Sequence, residues 1–184
     1  MIPSSRLSTS SSGFTLLEIL TVMLVIGILA TMLLPAFSYL KGRGEGIGCQ
    51  SNLRSLYAAA SAHVTDKGDW PQIPSTGTSK PPYARAWIRA LREYGLAEQN
   101  WVCPTVQRMM KRPDLLDPKN ARVDYLPTPF APGARTPYKF SNHPWFMERG
   151  DVHGDGNLVM LASGAVKSLH QVIRDSQSGE WEPQ

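Results

Sequence analysis

Gly13-Phe14-Thr15-Leu16-Leu17-Glu18, followed by an apolar run over residues 19–37, decides how this chain is read. Those nineteen residues carry no charged side chain, and a bilayer core of about 30 Å needs about 20 predominantly apolar residues in a helix. The segment is long enough to span a membrane. Glu18 stands at its N-terminal end, where an ionisable group is costly enough to mark a functional position in need of a partner. The plainer reading is an acid that snorkels to the interface from an ordinary anchor helix. Pro35 removes one helical hydrogen bond and predicts a kink or loosening, tolerable in a span when neighbouring groups satisfy the freed carbonyl. Gly27 and Thr31 form a small-xxx-small pair compatible with close helix packing.

Ahead of this run, residues 1–13 are rich in Ser and Thr and hold Arg6 as their only charged side chain. By the positive-inside rule this end is cytoplasmic and the body extracytoplasmic, although Lys41 and Arg43 weaken the contrast. A secretory signal peptide would have a shorter apolar region and a small-residue cleavage site, which residues 34–38 resemble only loosely. The 184 residues leave one soluble domain of modest size after a leader and a span are set aside. A formal charge of +4 comes from scattered Lys and Arg without the aromatic-interleaved stripe that nucleic-acid binding uses, so no nucleic-acid partner is expected.

Gly13 to Glu18 resemble the GFTLxE processing site of type IV prepilins and type II secretion pseudopilins. The resemblance implies that a prepilin peptidase in the membrane cuts after Gly13 and methylates the new amino group of Phe14, leaving Glu18 as the fifth residue of the processed chain. Pro35 then falls where that family often has a proline. The chemistry of the residues agrees. Glycine lets a protease approach the backbone closely, and cleavage exposes an ammonium that Glu18 of a neighbouring, staggered subunit could meet inside a filament. Glu18 would then serve assembly rather than catalysis.

Residues 41–48 place a glycine at every second position, each costing about 1 kcal/mol relative to alanine within a helix. They read as a hinge at which the helix melts or frays, or as an untuned juxtamembrane linker. Helical periodicity returns with Cys49, Leu53, Leu56, Tyr57, Ala60 and Val64 on one face. This packing helix should stop near Gly68, with Pro71 blocking continuation, and His63 reads as a satisfied histidine rather than a ligand. Residues 84–94 form a second helix with Trp87, Ile88, Leu91 and Tyr94 inward, Gly95 as its stop, and Arg85, Arg89 and Arg92 on a solvated face.

Residues 100–104 read as a short strand ending at proline. Cys49 and Cys103 could pair across the core, closing a loop worth roughly 4 kcal/mol, or they are two unrelated buried thiols. A metal at the cysteines is disfavoured, since no CxxC or HxxxH companion is in sequence. Seven prolines between Lys111 and Arg149 predict an irregular stretch with at best a short edge strand over residues 138–141, anchored to the core by Trp145 and Phe146.

Two apolar runs around Ser163-Gly164 predict a β-hairpin. With His153, Gly154, Asn157, Gly164 and Val166 this region is similar to the C-terminal H-x9-DG segment of prepilin-like proteins of some bacterial lineages, with Ser163 where that pattern has Asp. Cys49-Gln50-Ser51-Asn52-Leu53, residues 66–71 and Val102-Cys103-Pro104 resemble the same group. Asp151, Asp155 and Asn157 offer oxygen ligands in a glycine-rich turn, and the resemblance to secretion pseudopilins implies calcium as a cofactor there. The ligand order of an EF-hand is missing, so no metal is the expectation and the three side chains are read as making turns with their own backbone.

The expectation is an α+β, pilin-like chain in which a long N-terminal, partly transmembrane helix packs on a small antiparallel sheet. Its parts are a leader (1–13), an assembly helix (14–40), a glycine-rich hinge (41–48) and an extracytoplasmic domain (49–184). It would be a non-enzymatic subunit of a type IV pilus-like or type II secretion-like filament. Its partners would be prepilin peptidase, other pilin or pseudopilin subunits and the inner membrane. The alternative is a membrane-tethered extracytoplasmic binding or enzymatic domain.

Overall fold

A computed structural model of the chain describes residues 15–75, 77, 80–110, 117, 119–131, 138, 140–154 and 156–178, and within its first helix the side chains of 16–33 and 44–67. The chain divides into two compact units, Met1–Lys41 and Gly42–Gln184. Gly13, Phe14 and Asp155 lie outside the described residues.

The first unit holds the start of helix α1 (Leu16–Lys67). Thr15 caps it: its hydroxyl accepts the Glu18 N–H at 3.2 Å, and its carbonyl accepts from the N–H groups of Glu18 and Ile19 at 3.1 and 3.3 Å. Leu16–Leu33 is long and apolar enough to cross a membrane, with none of it buried by the chain itself. A helix apolar on all sides and covered by nothing of its own suits lipid. The polar groups inside it are satisfied locally, because the Thr21 and Thr31 hydroxyls donate to the carbonyls of Glu18 and Ile28 at 3.0 and 2.7 Å.

The predicted loss of helix at residues 41–48 does not occur, as α1 runs through this stretch without a break. In the second unit two of its glycines lie against the body instead. A Cβ at Gly48 would sit 3.4 Å from Pro104, and one at Gly46 would sit 4.0 Å from His153 Nδ1. Glu45, between them and Gly44, accepts from Arg108 Nε and Nη2 at 2.7 and 2.8 Å and from the Thr105 hydroxyl at 2.9 Å. Polar and packing contacts thus offset the poor helix propensity of glycine.

Further along α1, Cys49, Leu53, Leu56, Ala60 and Val64 form the predicted buried face. Tyr57 flanks it, donating its hydroxyl to the Ala162 carbonyl at 3.0 Å. The helix ends as expected: Gly68 takes a positive φ of 77° and its N–H returns to the Val64 carbonyl. His63 is satisfied by the Asp69 carbonyl and the edge of Tyr94. Helix α2 (Pro81–Arg92) buries Tyr83, Ala84, Trp87, Ile88 and Leu91 and leaves Arg85, Arg89 and Arg92 exposed.

The strand predicted at residues 100–104 is instead a 3-10 turn (Glu98–Trp101), an extended Val102, Cys103, and helix α3 (Pro104–Met110). Proline starts this helix because its missing N–H would be unsatisfied in the first turn anyway. Residues 138–141 contain turns and bends where they are described, with no strand. The sheet is an antiparallel meander, β1 (Tyr125–Pro127), β2 (Pro144–Glu148), β3 (Leu158–Leu161) and β4 (Val166–Ser168), in that order. The register shifts between Pro144 and Phe146, so that Trp145 is an extra residue and both Trp145 and Phe146 enter the core.

The predicted hairpin is β3–β4, with Gly164 at φ 82°. Ser168 then begins helix α4 (Leu169–Gln177), its hydroxyl and the Gln171 side chain making reciprocal caps. One sheet face meets α1 and the aromatic cluster. On the other face, Val159 and Leu161 meet Val172 of α4. The architecture is the α+β arrangement expected, with two strands and a C-terminal helix that the sequence reading lacked.

Candidate functional site: an N-terminal assembly segment and a buried sulfur cluster

Of the residues expected to serve processing and assembly, Glu18 is described. It stands in the first turn of α1 as an exposed side chain, with its N–H held by Thr15. Thr15-Leu16-Leu17-Glu18 is a T-x-x-E helix start, legible in sequence but overlooked beside the processing motif. An acid here also faces the positive end of the helix dipole. The helix start therefore fixes Glu18 at the mouth of an apolar rod that the chain leaves uncovered.

The two cysteines are brought together. Cys49, on the buried face of α1, places its Sγ 2.6 Å from Sγ of Cys103, which precedes α3; both are wholly buried free thiols. The pair is accompanied by groups that sequence spacing could not place beside it. Glu148, at the end of β2, is 1% exposed, and His153, in the following loop, lies with Nε2 3.2 Å from Glu148 Oε1 and 3.6 Å from Cys103 Sγ. Ligand atoms of all four lie within 4.8 Å of one another.

Each element delivers one member for a local reason. Asn52 lies one turn beyond Cys49, so the two share a face. Its amide donates to the Val102 carbonyl at 3.1 Å and the Tyr125 oxygen at 3.3 Å, and accepts from Asn100 at 3.1 Å. This holds the Cys103 segment against α1. Buried Asp124 accepts the Cys103 N–H at 3.0 Å and pairs with Arg122 at 2.5 Å. Tyr125 is the cross-strand partner of Glu148, which puts both on the sheet face beneath the cysteines. Asn157 donates to the Glu148 carbonyl at 3.0 Å and accepts the Leu169 N–H at 2.7 Å, closing the loop that carries His153.

Polar groups favour charge on the sulfurs: the Tyr125 hydroxyl acts on Cys49, and the N–H groups of Val106 and Thr105, in the first turn of α3, act on Cys103. Cys103 is held down to about 5, first by its hydrogen bond from the Cys49 thiol and then by these backbone donors, while Cys49 is driven up by the same contact and by burial. Glu148 is pushed up to about 7 by burial and by the negative charge on Cys103, against the pull of His153. Tyr125, Asn52 and Glu148 are the members that sequence reading missed. Asn52 alone carried a signal, standing at i+3 from Cys49.

Two of the three side chains of the expected oxygen-ligand turn are described. Asp151 Oδ1 accepts the Gly154 N–H at 2.8 Å and Asn157 makes the two bonds just given. Asp151 therefore makes a turn with its own backbone, and Asn157 bridges β2 to α4.

Residues 8–34 match the family model for the prokaryotic N-terminal methylation motif. Over 63 residues the chain is 35% identical to the type IV major pilin protein PilA of Myxococcus xanthus (strain DK1622), covering 34% of this chain and 29% of that one. Over 77 residues it is 30% identical to type IV major pilin proteins PilE1 of Neisseria gonorrhoeae, covering 41% of this chain and 47% or 43% of theirs. The chain thus spans less than half the length of these relatives. All three are type IV major pilin proteins. No solved structure matches the chain.

Proposed function

We propose that this chain is a filament subunit of the type IV pilus or type II secretion kind, cut after Gly13 and methylated at Phe14 by a prepilin peptidase. The observation that carries the reading is Glu18 at the capped start of a helix whose residues 16–33 are apolar and wholly uncovered, inside a stretch matching the methylation motif. Such a helix has two suitable surroundings, lipid and the packed helices of other subunits. Before assembly the chain crosses the inner membrane once with its N-terminus cytoplasmic. On assembly, apolar helix surface moves from lipid to neighbouring helices, and Glu18 meets the Phe14 amine of a neighbour. A buried carboxylate left without a partner is strongly unfavourable, so this contact sets the stagger between subunits.

Mass spectrometry of the mature chain tests the processing step: a methylated Phe14 N-terminus is expected, and an intact leader or a cut near Ala36 would overturn it. Glu18→Ala tests assembly. It should abolish filaments while leaving membrane insertion intact; normal filaments would instead favour a tethered binding domain.

A further inference from the structure

We propose that Cys49, Cys103, Glu148 and His153 form a closed structural site for one zinc ion. The donors are two thiols, an imidazole and a carboxylate, the set that zinc takes and that calcium and magnesium, which require oxygen, do not. The four come from α1, the residue before α3, the end of β2 and the loop after it. Cys49 and Cys103 are 54 residues apart, Cys103 and His153 are 50 apart, and no local motif announces the site.

The spacing fits. Zinc bonds of 2.0–2.3 Å in a tetrahedron separate neighbouring ligand atoms by about 3.3–3.8 Å. The imidazole already lies at 3.6 Å from the Cys103 sulfur and 3.2 Å from the carboxylate. An ion entering moves the two sulfurs about 1 Å further apart. The ligand-bearing groups are also held from behind: the Leu158 N–H holds the second carboxylate oxygen at 3.3 Å, and buried Asp124 holds the Cys103 N–H at 3.0 Å. A disulfide would use the sulfurs but would leave Glu148 buried with an imidazole and a single N–H.

The full chain, purified in detergent without chelator or reductant, provides the test. Elemental analysis should find about one zinc per chain, and both thiols should react with a thiol reagent only after chelation. Replacement by cobalt should give the visible absorption of a tetrahedral ion with sulfur-to-cobalt charge transfer. His153→Ala and Glu148→Gln should each weaken zinc retention at least tenfold, with the far-ultraviolet helix signal kept. An intact mass two hydrogens lighter, with no bound metal, would establish a disulfide and overturn the proposal. So would cobalt bound without the charge-transfer band, or zinc retention unchanged in both variants. None of these outcomes depends on filament assembly.

Discussion

Trp70 shows how much of the body's stability rests on single side chains. It lies just past the end of α1, 2% exposed, with ring contacts to Trp87, Phe130, Trp145 and Phe146 at 5.9, 5.1, 5.0 and 5.6 Å. Removing a large buried aromatic costs about 3–5 kcal/mol through lost transfer energy and the cavity left behind. Trp70→Ala is expected to lower the body's unfolding free energy by about that amount in a urea titration. A loss below about 1 kcal/mol would mean that the cluster closes over the gap. The sequence marked Trp145 and Phe146 as anchors but passed over Trp70, because a tryptophan beside a glycine stop and a proline belongs to no periodic pattern. Tyr125 and Glu148 escaped for a related reason: their proximity arises from cross-strand register, which a single strand does not encode.

At the scale of elements, the glycine-rich part of α1 and the cap of α4 give opposite expectations. Gly44 is helical, and an added Cβ would meet nothing within 4 Å. Gly44→Ala should therefore stabilise the helix by about 0.5–1 kcal/mol through backbone entropy. If residues 41–48 act as a hinge in the filament, the same change should stiffen the filament, read as a longer persistence length in electron micrographs. Ser168 accepts the Gln171 N–H at 3.3 Å, and Gln171 returns the bond to the Ser168 N–H at 3.0 Å. Ser168→Ala should cost about 1 kcal/mol, seen as faster amide exchange over residues 169–172. The Ser168-Leu169-His170-Gln171 spacing is a capping signature in plain view. It was hidden by the apolar run of the hairpin, which made Leu169 read as the last strand residue.

For the molecule as a whole, the two units should respond independently. The Glu18 N–H is held by Thr15 and its carbonyl accepts the Thr21 hydroxyl, all within the first unit, so the effects of Glu18→Ala and of substitutions in the body should add. The thermal transition of the body in detergent is expected to be unchanged in this variant. A shift of several degrees would show that the assembly helix and the body stabilise one another.

The sequence by itself determined the apolar helix over residues 16–33 and the packing face of α1. Charge-free length, a capped start, a processing-like motif and a 3.6-residue period are local properties that no distant contact needs to complete. It also placed the β3–β4 hairpin, whose partners are adjacent in the chain. Only the tertiary structure decided the rest. Continuity of the helix across residues 41–48 depends on contacts with Thr105, Arg108 and Pro104. The gathering of Cys49, Cys103, Glu148 and His153 depends on four segments whose sole common feature is the place at which the fold brings them to a halt. Long-range contacts of this kind follow from how faces pack, and packing is a property of the assembled core rather than of any stretch within it.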